Sequence, residues 1–205
     1  MTQQEIFTDA IRQVAKLCAV AAMTAPKSGG QLFIKGGSPF IETVIIEDKP
    51  TLKRLADWLR ERGNRHREAI WYRDADTAEK LDLVLFIGVA GWYPPQYDCG
   101  ACGYATCAEF LQARPTYQKP GSEDWEFAGP VCQLRCIDLG IAVGSAAKTA
   151  SLNNVDTRCQ TRIAAAARHL GIIKADLAVA LSMSVTHKNI FFDKKMPELQ
   201  FDSKA

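Results

Sequence analysis

Residues 81–107 read LDLVLFIGVAGWYPPQYDCGACGYATC. The first ten are almost continuously apolar and rich in Leu, Val, Ile and Phe, the composition of a central strand buried on both faces. The run stops at Gly91, and the turn-rich aromatic segment Trp92, Tyr93, Pro94, Pro95 and Tyr97 carries the chain straight into three cysteines. A buried strand therefore delivers reactive side chains at its end.

Those cysteines, Cys99, Cys102 and Cys107, have the spacing Cys-x2-Cys-x4-Cys. A loop that wraps an iron-sulfur cubane must turn tightly while its amides face the inorganic sulfide, and Gly100 and Gly103 supply the permissive backbone. Three thiolates on one loop leave one iron open. Cys132, which follows Gly129-Pro130, is the best placed fourth ligand, and Cys136 is the reserve. If the chain is helical from Val131, the two lie four apart on one face. The expected metal site is thus a [4Fe-4S] cluster on Cys99, Cys102, Cys107 and Cys132. Four thiolates also suit tetrahedral zinc, but zinc ribbons usually show two Cys-x2-Cys knuckles and one such pair stands here. A two-thiol redox cycle would be disturbed by the third close cysteine.

Composition narrows the surroundings of this site. The 205 residues suit a single domain, 1–205, with the segment 92–136 inserted within it. The 25 basic and 23 acidic residues nearly cancel, so no global field recruits nucleic acid or an anionic membrane. Residues 1–5 lack a basic leader, and no apolar run approaches the roughly 18 residues of a membrane span. A cytoplasmic protein with reduced thiols is expected, and five of its seven cysteines fall between Cys99 and Cys136. Cys18 and Cys159 read as core residues of helices.

Working outward, Phe7, Ala10, Ile11, Val14, Leu17, Cys18 and Ala21 form one face of a helix that should stop near Pro26. Lys27-Ser28-Gly29-Gly30 then reads as a loop. Ile41 to Ile46 reads as a strand, and Pro50 opens a helix carrying Leu52, Leu55, Ala56 and Leu59. His66, in the basic stretch 60–67, sits at that helix's solvated end. Residues 115–130 are polar and turn-prone, an excursion that returns Cys132 to the first three cysteines. A helix with small inner positions, Gly140, Ala142, Gly144, Ser145, Ala146, Ala147 and Ala150, follows to about Leu152. Asp156 is the expected N-cap of a helix through Ile163 and Ala167 that Gly171 terminates, and residues 176–183 form a strand. His169 suits that helix's C-terminal dipole, His187, beside Lys188 and Asn189, is the better functional candidate of the two, and Asp138 is expected to be paired or solvent-facing.

The Cys-Gly-x-Cys-Gly-x-x-x-Cys run resembles the [4Fe-4S] motif of electron-transport subunits and corrinoid iron-sulfur proteins, in which a fourth cysteine follows. The whole chain resembles the uncharacterised prokaryotic ferredoxin-domain proteins, through Ala22-Met23-Thr24-Ala25-Pro26-Lys27, the cysteine run, residues 137–146 and Lys188-Asn189-Ile190-Phe191-Phe192-Asp193. The order of elements is also similar to the flavin-dependent nitroreductase fold. That resemblance implies an α+β, nitroreductase-like sheet flanked by helices with an inserted iron-sulfur-binding loop, a homodimer, and FMN. Where that fold often holds the FMN phosphate with arginines at the start of the first helix, this chain has Arg12 and Lys16. The cations to consider for FMN are Lys27 and Lys188, with Thr24 and Asn189 as neutral partners. The expected function is an electron-transfer protein with a redox partner protein. A cluster-bearing sensor of oxygen or iron, and a zinc-stabilised interaction protein, are the alternatives.

Overall fold

Strand β2 (Leu83–Val89) is buried along its whole length, and the chain is layered on both of its faces. The computed structural model describes residues 1–27, 40–91, 93–117 (side chains of 115–117 excepted), 125–186 and 189–192, and among them are six helices and four strands. β2 pairs antiparallel with β1 (Ile41–Ile46) on one side and β4 (Leu177–Ser184) on the other, and β3 (Asp156–Gln160) adds to β4, giving the order β1-β2-β4-β3. Leu85 stands opposite Ile45 and Leu181, which fixes the register at the centre of the sheet.

Alternation along β2 divides the core in two. Leu83, Leu85, Ile87 and Val89 face α1 (Gln3–Thr24) and α5 (Gln133–Leu152). Val84 and Phe86 face α2 (Lys49–His66), α3 (Ala69–Lys80) and α6 (Thr161–His169). The small positions of α5 have a plain use: Ala142, Ala146 and Ala150 are fully buried and let α1 approach with Ile11, Val14, Ala15, Cys18 and Ala22. Gly140 and Gly144 face open space. A capping box of Thr2 and Glu5 starts α1, and Asp48 caps α2 with Pro50 in its first turn.

Three expectations change. The helix read from Asp156 begins only at Thr161, because residues 156–160 pair with β4 as an edge strand. Cys159 is consequently an exposed strand residue and not core. The basic stretch 60–67 is not simply solvated: Arg60 reaches Glu79 at 2.6 Å and Asp76 at 3.2 Å, stapling α2 to α3. Arg62 is 4% exposed, its guanidinium 5.6 Å from the Trp58 ring and 5.4 Å from the Trp71 ring. Among the described residues no helix is long and apolar enough to cross a membrane.

Gly88 marks the tightest approach to the central strand. A Cβ there would lie 2.3 Å from the Ala175 Cβ and 2.9 Å from Ile173 Cδ1. Gly88→Ala should therefore destabilise the chain by about 1–3 kcal/mol, the usual range for an overpacked core. Urea unfolding checks this, and an unchanged midpoint would contradict the packing.

Candidate metal centre

The site forms where β2 runs out. The Val89 carbonyl accepts N–H groups from Gly91 (3.0 Å) and Asp176 (3.1 Å), so the strand end is tied to the lead-in of β4. At Gly91 a Cβ would stand 2.4 Å from Val131 Cγ1, and only glycine lets Val131 pack there without displacement. The Gly91 carbonyl then accepts the Cys132 N–H at 3.0 Å. Cys132, the N-cap residue of α5, is thereby held beside the chain that leads to the other cysteines.

That chain winds tightly. Gln96 (φ 64), Asp98 (φ 47), Gly100 (φ 69) and Gly103 (φ 88) all adopt left-handed backbone, and the Gly103 N–H donates to the Gly100 carbonyl at 2.9 Å. Asp98 Oδ1 accepts the Cys107 N–H at 2.7 Å, closing the loop on itself. Cys107 opens α4 (Cys107–Tyr117), where Thr106 Oγ1 accepts the Glu109 N–H and Glu109 Oε2 accepts the Ala105 N–H, both at 3.1 Å. Two of the cysteines thus sit at helix N-termini, where backbone N–H groups are free of intrahelical partners.

One pocket is lined by Cys99, Cys102, Cys107 and Cys132, with Pro94, Pro95, Tyr97, Tyr104 and Phe110 as its apolar wall. Cys99 is exposed, Cys102 half-buried, and Cys107 and Cys132 are 8% and 5% exposed. Cys136 is not among the lining residues; its half-buried thiol is pushed up in pKa by desolvation and by Cys132. Among the described residues no group of three or more His, Cys, Asp or Glu side chains forms a site for a single ion. The four cysteines share the lining of one pocket. Soft sulfur donors, left-handed turns that expose amides, and a wall of proline and aromatic rings fit an iron-sulfur cluster.

Two buried ion pairs brace these segments. Arg114 on α4 donates to Asp176 Oδ1 (2.5 Å) and to the Pro130 carbonyl (3.3 Å). Arg135 on α5 donates to Asp138 Oδ2 and to the Tyr93 carbonyl, both at 2.7 Å, and stacks 4.0 Å from the Phe40 ring. Asp138 is fully buried and paired, in keeping with the reading of an acid in that helix. Sequence reasoning passed over Asp98, Thr106, Glu109, Arg114, Arg135 and Asp176. The Thr106-x-x-Glu109 spacing was the one local signal, since it is the pattern of a helix start.

The residues considered for FMN are engaged elsewhere. Lys27, 8% exposed, donates to the carbonyls of Ala22 (2.8 Å), Met23 (3.1 Å) and Ala25 (2.7 Å), closing the C-terminus of α1. Thr24 Oγ1 donates to the Val20 carbonyl, and Asn189 Oδ1 accepts the N–H groups of Phe191 and Phe192. Lys188 and His187 lie outside the described residues. His169 does end α6, but its ring stacks on Trp58 and its Nε2 bonds the Trp125 carbonyl at 2.7 Å, and burial lowers its pKa. The ring thus makes structural contacts with Trp58 and Trp125 at the end of the helix.

Comparison with known proteins places these segments. The family model described as "Uncharacterized protein containing a ferredoxin domain" matches residues 128–194, and the one described as "Putative Fe-S cluster" matches residues 95–113. A protein of Archaeoglobus fulgidus described as "Uncharacterized protein" is 31% identical over 194 residues, 95% of this chain and 97% of its own length. Among solved structures, a BluB-like flavoprotein from Clostridium difficile 630 has a TM-score of 0.53 at 13% identity, over 90% of this chain and 85% of that one. NfrA1 of B. megaterium gives 0.47 at 13% identity, this chain covering 63% of its length. Nitroreductase A of Vibrio parahaemolyticus gives 0.48 at 11% identity, over 95% of this chain and 69% of that one. The fold is nitroreductase-like, with helices on both faces of the sheet and the cysteine loop set into it.

The seven thiols should differ in reactivity. Burial pushes the Cys18 thiol up to about 11 from its ordinary 9.0. In the folded, iron-free chain, iodoacetamide at about pH 8 should label exposed Cys99 and spare Cys18, as peptide mass spectrometry would read. Because the folded state keeps a proton that the unfolded thiol sheds, this group's contribution to stability should fall as pH rises from 9.0 towards about 11. Labelling of Cys18 without denaturant would contradict the packing of α1 on α5.

Proposed function

The chain belongs to the family of uncharacterized proteins containing a ferredoxin domain, and on that premise we propose that this iron-sulfur protein carries a [4Fe-4S] cluster on Cys99, Cys102, Cys107 and Cys132 and uses it to pass single electrons to and from a partner protein. The observation that carries this reading is a pocket lined by all four cysteines and, among the described residues, by no carboxylate or imidazole. When bound, such a cluster supplies one-electron redox chemistry.

The residues divide the work by depth. Cys107 and Cys132 lie in the buried wall with Phe110, which keeps water from that side. Cys99 lies at the surface beside exposed Tyr97, so electrons would enter and leave by that edge. The N-termini of α4 and α5 and the amides of the left-handed turns offset the negative charge of the thiolates. Asp98 holds the loop closed by fixing the Cys107 N–H. The reading rests on this centre, since Thr24 Oγ1, Lys27 Nζ and Asn189 Oδ1 are each bonded to local backbone.

Anaerobic purification with iron, sulfide, zinc and flavin analysis tests it. The expected result is about four iron and four sulfide per chain, abolished in Cys99→Ala, reduced in Cys132→Ala and unchanged in Cys136→Ala. One zinc without iron after anaerobic reconstitution would refute the cluster, and equal loss in Cys136→Ala would refute the choice of fourth ligand.

A further inference from the structure

We infer that Arg114 is a positioning residue for the fourth thiolate, locking the segment that carries Cys132 to the helix that begins at Cys107. The inference rests on the cluster reading above and goes beyond it in naming what holds the two halves of the ligand set together. Three ligands share one short loop, whereas the fourth arrives on a separate segment. A cubane is rigid, so the fourth iron is held only if that segment is fixed relative to the loop.

Arg114 lies seven residues after Cys107, about two turns along α4. Its residue is 9% exposed, and its guanidinium divides between two acceptors on different segments. Nη1 donates to the carbonyl of Pro130, two residues before Cys132, at 3.3 Å. Nη2 donates to Asp176 Oδ1 at 2.5 Å. Asp176 is itself 9% exposed, and its backbone accepts the Ala128 N–H at 3.0 Å and donates to the Val89 carbonyl at 3.1 Å. A single planar fork therefore joins α4, the returning segment 128–130 and the end of β2. The hydrogen bond from Cys132 to Gly91 secures the same segment from its other side.

The fork is what the geometry demands. A guanidinium offers parallel donors in one plane, whereas an ammonium is a point charge on a flexible stem. Lysine at this position would keep the charge facing Asp176 but would not serve the Pro130 carbonyl in the same arrangement. Among the described residues, the Ala128 and Cys132 backbone bonds would then be left to hold the segment 128–130. The consequence would fall on the iron that Cys132 would hold, and not on those that the loop cysteines would hold.

The test uses the full chain, reconstituted anaerobically with iron and sulfide, as wild type, Arg114→Lys, Asp176→Asn and Arg162→Lys. Arg162, whose Nε bonds buried Asp74 at 2.7 Å on the other face of the sheet, controls for the general cost of disturbing the arginine partner of a buried carboxylate. The readouts are iron and sulfide per chain, the rate of iron loss to a chelator in air, and thermal melting of the iron-free forms. Arg114→Lys should surrender one iron in four about tenfold faster than wild type while keeping its sulfide, in the range seen when a residue supporting a metal ligand is lost. Adding Arg114→Lys to Cys132→Ala should cause no loss beyond that of Cys132→Ala alone. Asp176→Asn, which leaves Arg114 on Pro130, should lose iron more slowly than Arg114→Lys. Wild-type iron retention in Arg114→Lys, equally fast loss in Arg162→Lys, or the reverse order for Asp176→Asn would each overturn the inference with the cluster reading intact. A folded wild type that takes up no iron would overturn the cluster reading, and this inference with it.

Discussion

The hydrogen bond from the Cys132 N–H to the Gly91 carbonyl is the contact on which the site depends. It joins the start of α5 to the end of β2, and so brings a thiol from late in the chain beside three that follow the strand directly. β2 can serve as the anchor because it is buried on both faces and paired on both edges, which leaves it no room to shift. Gly91 makes the contact sterically possible: any side chain there would drive out Val131 and carry Cys132 with it. The fold thus places a strand buried on both faces and paired on both edges beneath the pocket that the four cysteines line.

Electrostatics follows the same plan. Four cysteine ligands would bring negative charge into the pocket, and two helix N-termini and a run of left-handed turns present backbone dipoles to it. The two arginines nearby, Arg114 and Arg135, are each matched to a buried carboxylate, Asp176 and Asp138. Removing one partner of such a pair leaves an uncompensated buried charge, which typically costs about 3–5 kcal/mol. The arginines therefore act as braces, bound to backbone carbonyls of Pro130 and Tyr93 that flank the cysteine segments.

Much of this was legible in the amino-acid order, for identifiable reasons. The continuous apolar run of β2, the helical periods of α1 and α2 and the small-residue run of α5 are strong local patterns, and each became the expected element. Helix α3 was not, because its buried face includes Asp74, a carboxylate satisfied by Gln160 and Arg162 from distant segments, which breaks the apolar period. β3 failed similarly: Asp156-Thr157-Arg158-Cys159-Gln160 has no alternation of apolar residues and is a strand because β4 pairs with it. At the site, residue types and spacing pointed to the four cysteines that line the pocket. Arg114 and Asp176 were invisible, since nothing local distinguishes a surface arginine from one buried against a carboxylate 62 positions away.

The central claim is that the cysteine pocket serves reversible one-electron transfer, and a potentiometric titration of the anaerobically purified chain, followed by electron paramagnetic resonance and by iron content, tests it most directly. The account predicts one reversible one-electron step, about one spin per chain in the paramagnetic state, and no iron lost over repeated cycles. A centre that shows no redox transition, or that sheds its iron on the first cycle, would contradict electron transfer and point to a structural or sensing role.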